Sequence, residues 1–402
     1  MLATGYIDGR LGPRAPDLLS VLSRADDGVW SRADVAVTNS VATWPNVLAL
    51  TADGQFAIVT EPFAQPDESA ETFSEIERGA TLTVVEISDR SAPTVRSTVT
   101  APSPPAAVDI HPSGSVVAVT FPFSGEIAIY PWTDGVFGEP TVVPLGIEAV
   151  DNTFVPEFEW HPTGEFAAVT LGGDNTVAFY RLADETLEPW GSPVSTAPLP
   201  GKGLWTDDGA HFLVTTINIT GDLAQHAYGR NTSLMSVIAF DDDDMPNSPP
   251  RRANDRSPTY ESEPIQHAMV ASAPIGMGYV ENFTISPDGR TIVGLNMAAS
   301  WLPTDHPGHT RFSELTAHEI DPETGSLSAI GSTRLPGVVL PQGIVFDDAG
   351  RHLALTSYQD ANGGPGHVQF WAFDPTAEEP FTNVGEPIPM PRGVHYLARV
   401  PR

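Results

Sequence analysis

The sequence predicts an all-β fold: a seven-bladed β-propeller, a single domain over residues 1–402, closed by pairing of its N- and C-terminal strands. Three observations lead there. A hairpin motif recurs six times, the copies are spaced as four-stranded blades plus loops, and the two ends carry strand segments that no copy uses.

Each copy is a short apolar segment, a tight turn ending in Gly, and an alternating β-branched strand. The copies lie at 48–60, 108–120, 158–170, 203–215, 283–295 and 344–356, with turn glycines Gly54, Gly114, Gly164, Gly209, Gly289 and Gly350. Asp-Gly, Ser-Gly and Thr-Gly pairs between alternating flanks signal hairpins, and repetition at a regular period signals a repeat architecture. The glycines are 60, 50, 45, 80 and 61 residues apart. A minimal blade needs about 40–45 residues, so the excess is loop. From Gly350 around the ends to Gly54 is 106 residues, room for two blades. One blade therefore lacks the motif. Segment 393–400 is expected to be its inner strand, paired with 2–7, and 18–22 and 33–38 complete it. Such closure removes exposed sheet edges.

Within a blade, the first strand precedes the glycine and the second follows it. Third strands are expected at 80–88, 126–131, 176–182, 233–240, 315–320 and 367–373. Long loops between second and third strands, at 61–79, 217–232, 297–313 and 357–366, gather on one face, the top. The acidic, Pro-rich segment 241–264 is an insertion on the opposite face, either surface decoration or a contact for a protein partner. His111 and His161 recur in His-Pro-(Ser/Thr)-Gly turns, which assigns them to turn structure at the bottom.

Charge narrows the function classes. Fifty-one acidic residues face twenty basic ones, a net charge of −31, so nucleic acid and anionic membrane surfaces are excluded as partners. The acid is dispersed and Lys202 is the only lysine, a pattern of halophilic, salt-adapted proteins that GC-rich codon usage also produces. There is no cysteine, which excludes disulfides, thiolate metal sites and cysteine nucleophiles. No apolar run is long enough to span a bilayer, and residues 1–6 lack a signal-peptide pattern. A soluble monomer is expected, cytoplasmic or exported, since a leader could have been removed.

Candidate site residues follow from the start of each inner strand, where side chains face the central channel at the top. Counting back from the turns gives Asn46, Ala106, Ala107, Glu157, Lys202, Glu281, Asn282, Gln342 and His395, with Arg392 just before the last. A ring holding Glu, Lys, Asn, Gln and His is not what a packed core requires. Either these groups hydrogen-bond one another or they bind a ligand. Glu157, Glu281 and His395 are the candidate acids and bases. Lys202 and Arg392 are candidates for holding a substrate anion, with Gln342 and the loop residues His226, Tyr228 and Arg230 as further substrate contacts. Glu157, Asn46 and Asn282 could ligate a divalent cation such as Ca²⁺ or Mg²⁺ through oxygen. His306, His309 and Arg311 read as ordinary loop residues.

Ser286-Pro287-Asp288-Gly289, the stretch from Ile320 through Gly325 to Leu327, and Leu340-Pro341-Gln342-Gly343 carry a family likeness. Through them the chain resembles the lactonase-family seven-bladed propellers, which include 6-phosphogluconolactonase and carboxymuconate-lactonizing enzymes. It departs from them at Val155-Pro156-Glu157-Phe158-Glu159, where many members carry histidines. Glu157, Asn46 and Asn282 are also similar to the cation-holding residues of gluconolactonase/regucalcin-like propellers. The resemblance implies a lactonase-like hydrolase, or a ring-opening lyase, acting on a small, polar, anionic molecule in the central channel. The alternative is a non-catalytic propeller that binds a ligand or protein through its top loops.

Self-repulsion at −31 is screened by salt, because the Debye length falls from about 10 Å at 0.1 M to about 3 Å at 1 M. The melting temperature should rise between low and molar salt. A flat or falling series would remove the salt-adaptation reading.

Overall fold

The computed structural model describes residues 17–38, 46–67, 69–72, 75–145, 157–184, 186–218, 232–242 and 265–400. The chain opens with a hairpin, β1 (Leu18–Arg24) and β2 (Trp30–Ala36). Six antiparallel sheets follow, each a blade. The first is β3 (Leu48–Leu50), β4 (Phe56–Thr60), β5 (Thr81–Glu86) and β6 (Thr94–Thr100). The second is β7 (Val108–Ile110), β8 (Val116–Phe121) and β9 (Glu126–Thr133), with β10 (Val136–Phe137) and β11 (Thr141–Pro144) sharing the outer edge. The third is β12 (Glu157–Trp160), β13 (Phe166–Leu171) and β14 (Thr176–Ala183), edged by β15 (Thr186–Pro189) and β16 (Val194–Ser195). The fourth is β17 (Pro200–Trp205), β18 (His211–Thr216), β19 (Thr232–Ala239) and β20 (Ala268–Met277). The fifth is β21 (Val280–Ile285), β22 (Thr291–Asn296), β23 (Phe312–Ile320) and β24 (Leu327–Pro336). The sixth is β25 (Ile344–Phe346), β26 (His352–Ser357) and β27 (Gly366–Phe373), edged by β28 (Phe381–Asn383) and β29 (Ile388–Met390). No helix among the described residues is long and apolar enough to cross a membrane.

The six turn glycines all have positive φ, from 65° to 78°, the left-handed region that a tight hairpin turn requires and glycine adopts without strain. Second and third strands read as near-continuous apolar runs because they are covered on both faces. Leu82, Val84, Val117, Val119, Ile127, Leu213, Val237 and Leu355 are all buried between neighbouring sheets.

Among the described residues the blade count is six, not seven. Of the expected seventh blade only the hairpin β1–β2 forms as a sheet. Segment 393–400 is no strand, and 2–7 lies outside the described residues. The hairpin still occupies the join. Trp30 stacks on Phe370 of the sixth blade at 4.8 Å, and Arg32 Nη1 donates to Pro389 O. On its other side Val21 packs with Ala57, Val85 and Ile87 of the first blade. Spacing measures the length of chain available, whereas a blade requires ladder hydrogen bonds, and 393–400 has no ladder partner among the described residues. Its backbone is held by isolated bonds instead, Gly393 N to Tyr358 O and Thr356 Oγ1 to His395 O.

At the bottom, adjacent blades are clasped through the repeated histidines. His111 Nε2 donates to Gly164 O (2.8 Å) and His161 Nε2 to Gly209 O (3.1 Å), each reaching the turn of the next blade. Each Nδ1 accepts from the backbone N–H two residues on, which fixes the tautomer. His161 also lies edge-on to Trp205 at 4.7 Å, and burial holds its imidazole below the usual value and neutral.

His161→Ala should cost about 2 kcal/mol in urea unfolding, since it orphans a buried carbonyl and opens a gap beside Trp205. His352→Ala, which removes an exposed pair with Asp347, should cost about 0.5 kcal/mol or less. Equal losses would contradict the clasp.

Candidate functional site

The inner strands β3, β7, β12, β17, β21 and β25 contact one another around the axis. Residues at their starts meet there because strand alternation sends every second side chain inward. Asn46 lies just before β3 with φ of +85°, a left-handed conformation that asparagine tolerates better than most residues. Its amide nitrogen donates to Glu157 Oε2 (2.7 Å) and Glu159 Oε1 (3.2 Å). Its carbonyl oxygen accepts from Lys202 Nζ (2.7 Å). Blades one, three and four are thus joined across the axis at hydrogen-bond width. Lys202 also makes an ion pair with Glu159 and lies 3.9 Å from Glu157 Oε2.

Two β-bulges aim the key side chains. In β17, Pro200 pairs with Thr216 and Gly203 with Val214, so Gly201 and Lys202 together oppose Thr215. In β21, Val280 pairs with Asn296 and Asn282 with Leu295, so Glu281 is the inserted residue. A bulge bends its strand and re-aims the extra side chain. Gly203 is required beside the first bulge, because a Cβ there would lie 2.1 Å from Phe212 Cζ.

The second bulge serves a second set. Gln342 Nε2 donates to Glu281 Oε2, and Asn282 Nδ2 donates to Gln342 O (2.6 Å). Asn46, Glu157, Lys202, Glu281, Asn282, Gln342 and His395 are all at most 5% exposed. Above them lies an apolar cluster containing Ala106, Ile217, Met297, Trp301, Leu340 and Tyr358. It draws on the top ends of the second, fourth, fifth and sixth blades and forms an apolar roof on that side of the ring.

Burial dominates the electrostatics. It pushes the Glu157 carboxyl up to about 8, with Glu159 and Glu281 adding to the rise and Lys202 opposing it. It pushes Glu281 up to about 7, partly offset by the Gln342 hydrogen bond. Asp109 is raised well above the carboxylate range by burial and by Glu159. For Lys202 burial acts downward, but Glu159, Tyr396 and Glu157 outweigh it and hold the ammonium charged. Glu157 Oε1 and Tyr279 Oη are buried with no hydrogen-bond partner among the described residues.

Not every expected residue joins this ring. Lys202, expected to face a substrate anion, is paired internally. Arg392 turns its Nε to Gln359 Oε1 (2.8 Å) and lies over the Tyr358 ring. With His395 and Tyr396 it lines a cleft of about 1080 Å³ bounded by β1, the first and sixth blades and 391–400. His226, Tyr228 and Arg230 lie outside the described residues, as does most of 241–264. The expected cation ligands do not fit a divalent ion as arranged. The Asn46 amide and the Lys202 ammonium already fill the space between the oxygens, and among the described residues no three His, Cys, Asp or Glu are placed to hold a metal. Glu159, Asp109, Tyr279 and Tyr396 escaped sequence reasoning. The signal was present for one of them: Glu159 sits two residues from Glu157 on the same face of β12.

No protein-family model and no curated protein matches the sequence. Solved structures share the fold. A periplasmic gluconolactonase, PpgL, from Pseudomonas aeruginosa aligns with a TM-score of 0.61 at 16% identity, over 96% of both chains. A Bacteroides fragilis protein to which 6-phosphogluconolactonase activity is ascribed aligns at 0.58 and 14%, over 98% of both. Hydrazine synthase from Kuenenia stuttgartiensis aligns at 0.56 and 13%, over 88% of this chain and 89% of that one. The chain is thus similar to lactonase-type propellers in fold. The finer likeness to carboxymuconate-lactonizing enzymes has no counterpart among these structures.

Two outcomes follow from the buried ring. Lys202→Met should cost about 3–5 kcal/mol in chemical denaturation, because it leaves buried carboxylates without their cation. Glu157 and Glu281 hold protons in the native state that the unfolded chain releases above about 4.5. Their contribution to stability is therefore full at acid pH and declines as pH rises through about 7 and 8. The double substitution Glu157→Gln, Glu281→Gln should flatten the slope between pH 5 and 8, and an unchanged slope would contradict the assignment.

Proposed function

We propose that the chain is a lactone hydrolase acting on a small polar molecule at the roofed end of the channel. The observation that carries this reading is Glu157: a buried carboxyl with one oxygen fixed by Asn46 and the other unpartnered, next to a second perturbed carboxyl. Paired carboxyls held at different pKa values are a common basis for acid–base work near neutrality. The fold likeness to a gluconolactonase supports the reaction class by analogy alone.

The roles follow from the two environments. Glu281, with the lower value of about 7, is the base. It takes a proton from water as the water oxygen adds to the lactone carbonyl carbon. Glu157, at about 8, keeps its proton at neutral pH, and its free Oε1 is the atom that can deliver it. That proton passes to the ring oxygen as the ring C–O bond breaks, giving the hydroxy acid. Asn46, Lys202 and Glu159 position Glu157. Gln342 holds Glu281, and the substrate enters as the roof around Trp301 and Tyr358 parts.

A second reading is a propeller that binds a ligand or a protein partner without catalysis. The roof favours it, since the polar ring is satisfied largely by itself.

Glu157→Gln preserves shape and removes the proton. Turnover of a lactone should fall by about 10² or more while the melting temperature changes little. The wild-type rate should rise through about pH 7 and fall through about pH 8, and the alkaline limb should vanish in the variant. Absence of turnover across a lactone panel would instead favour the binding reading.

A further inference from the structure

We infer that the channel site selects uncharged, hydroxyl-rich lactones and rejects their phosphorylated or carboxylated counterparts. This deepens the hydrolase reading and rests on it. It also departs from the anionic substrate that the sequence suggests.

Charge is the first ground. Glu157 and Glu159 face one ammonium, Lys202, the only lysine in the chain, and Asp109 and Glu281 are further carboxyls within electrostatic reach of Glu159 and Glu157. That ammonium is engaged by Glu159 and Asn46 and faces Glu157 at 3.9 Å. Glu281 is met by the neutral Gln342 amide and by no ammonium, so among the described residues the ring offers no uncommitted cation. Arg392, the other expected anion holder, is turned to Gln359 and Tyr358. An entering phosphate would add like charge in a site shielded from water, and the whole chain, at −31, repels it on approach.

Hydrogen-bond polarity is the second ground, and it is independent of the first. The amide donors of the ring are already used: Asn46 on Glu157 and Glu159, Gln342 on Glu281, and Asn282 on Gln342 O. Of the buried atoms left without a partner among the described residues, Glu157 Oε1 and Tyr279 Oη belong to the inner-strand ends, while Arg392 Nη1 lies on the separate cleft. A phosphate or carboxylate brings only acceptors, and the amide donors that would suit it are already engaged. A sugar-derived lactone brings hydroxyl donors that match carboxyl and phenol oxygens. Tyr279 lies just before β21, two residues from Glu281, and edge-on to Trp301 of the roof at 5.5 Å, so its phenol stands where such a ring would enter.

The test compares D-glucono-1,5-lactone with its 6-phosphate, the same ring with and without the anion. Hydrolysis of the neutral lactone should exceed that of the phosphate by about 10² in kcat/KM, the scale that like-charge juxtaposition gives. Equal rates, or preference for the phosphate, would overturn the inference and leave the hydrolase reading intact. If neither is hydrolysed, the hydrolase reading fails. Calorimetric binding of gluconate-free neutral lactone against the phosphate then decides the inference separately: tighter binding of the neutral compound supports it, and equal or weaker binding overturns it. Glu159→Gln should narrow the gap between the two compounds, because it removes a charge without removing either proposed acid or base.

Discussion

The ammonium of Lys202 is the one cation that lets several carboxyl groups share the axis of this propeller. Inner strands converge, so whatever stands at their first positions is brought together without water. Isolated buried carboxylates are costly, and the chain meets that cost in two ways. Lys202 neutralises Glu159 and steadies Glu157 through Asn46, while burial shifts Asp109, Glu157 and Glu281 toward their protonated forms. The network joins the first, third and fourth blades, so the charge arrangement and the ring geometry support each other.

The two faces of the molecule are built for different ends. At the bottom, His111 and His161 tie turn to turn with regular, repeat-encoded hydrogen bonds. At the top the chain accepts irregularity: bulges at Lys202 and Glu281, and left-handed φ at Asn46, Leu199, Ala298 and Leu340. Such local strain persists where the surroundings over-determine it, and it gathers at sites that need side chains in unusual directions. The ring side chains beside the apolar roof are almost fully buried, which strengthens the interactions among them. The same arrangement leaves the site rich in acceptors and poor in free cations, a chemical character that sets which ligands suit it.

How much was legible in the sequence depended on whether the signal was local. The hairpin repeat named all six turns, and the expected third strands matched the observed ones to within three residues at either end. The start of each inner strand could be counted back from its glycine, so Asn46, Glu157, Lys202, Glu281, Asn282 and Gln342 were named and were found buried at the axis. The blade count was not legible in this way. Chain length between glycines does not report ladder pairing, and 393–400 is held by isolated bonds and packing instead of a strand partner.

The sequence by itself determined the architecture, because alternation and tight turns act between residues a few positions apart. It also placed the polar ring, since strand period and turn position set which side chains face inward. Tertiary structure alone decided who bonds whom. That Lys202 meets Asn46, 156 residues away, and pairs with Glu159, depends on how blades close around the axis and on bulges with no sequence signature here. The roof was invisible for the same reason: Ala106, Ile217, Trp301 and Leu340 lie far apart in sequence, on the second, fourth, fifth and sixth blades, and only the tertiary fold gathers them into one cluster.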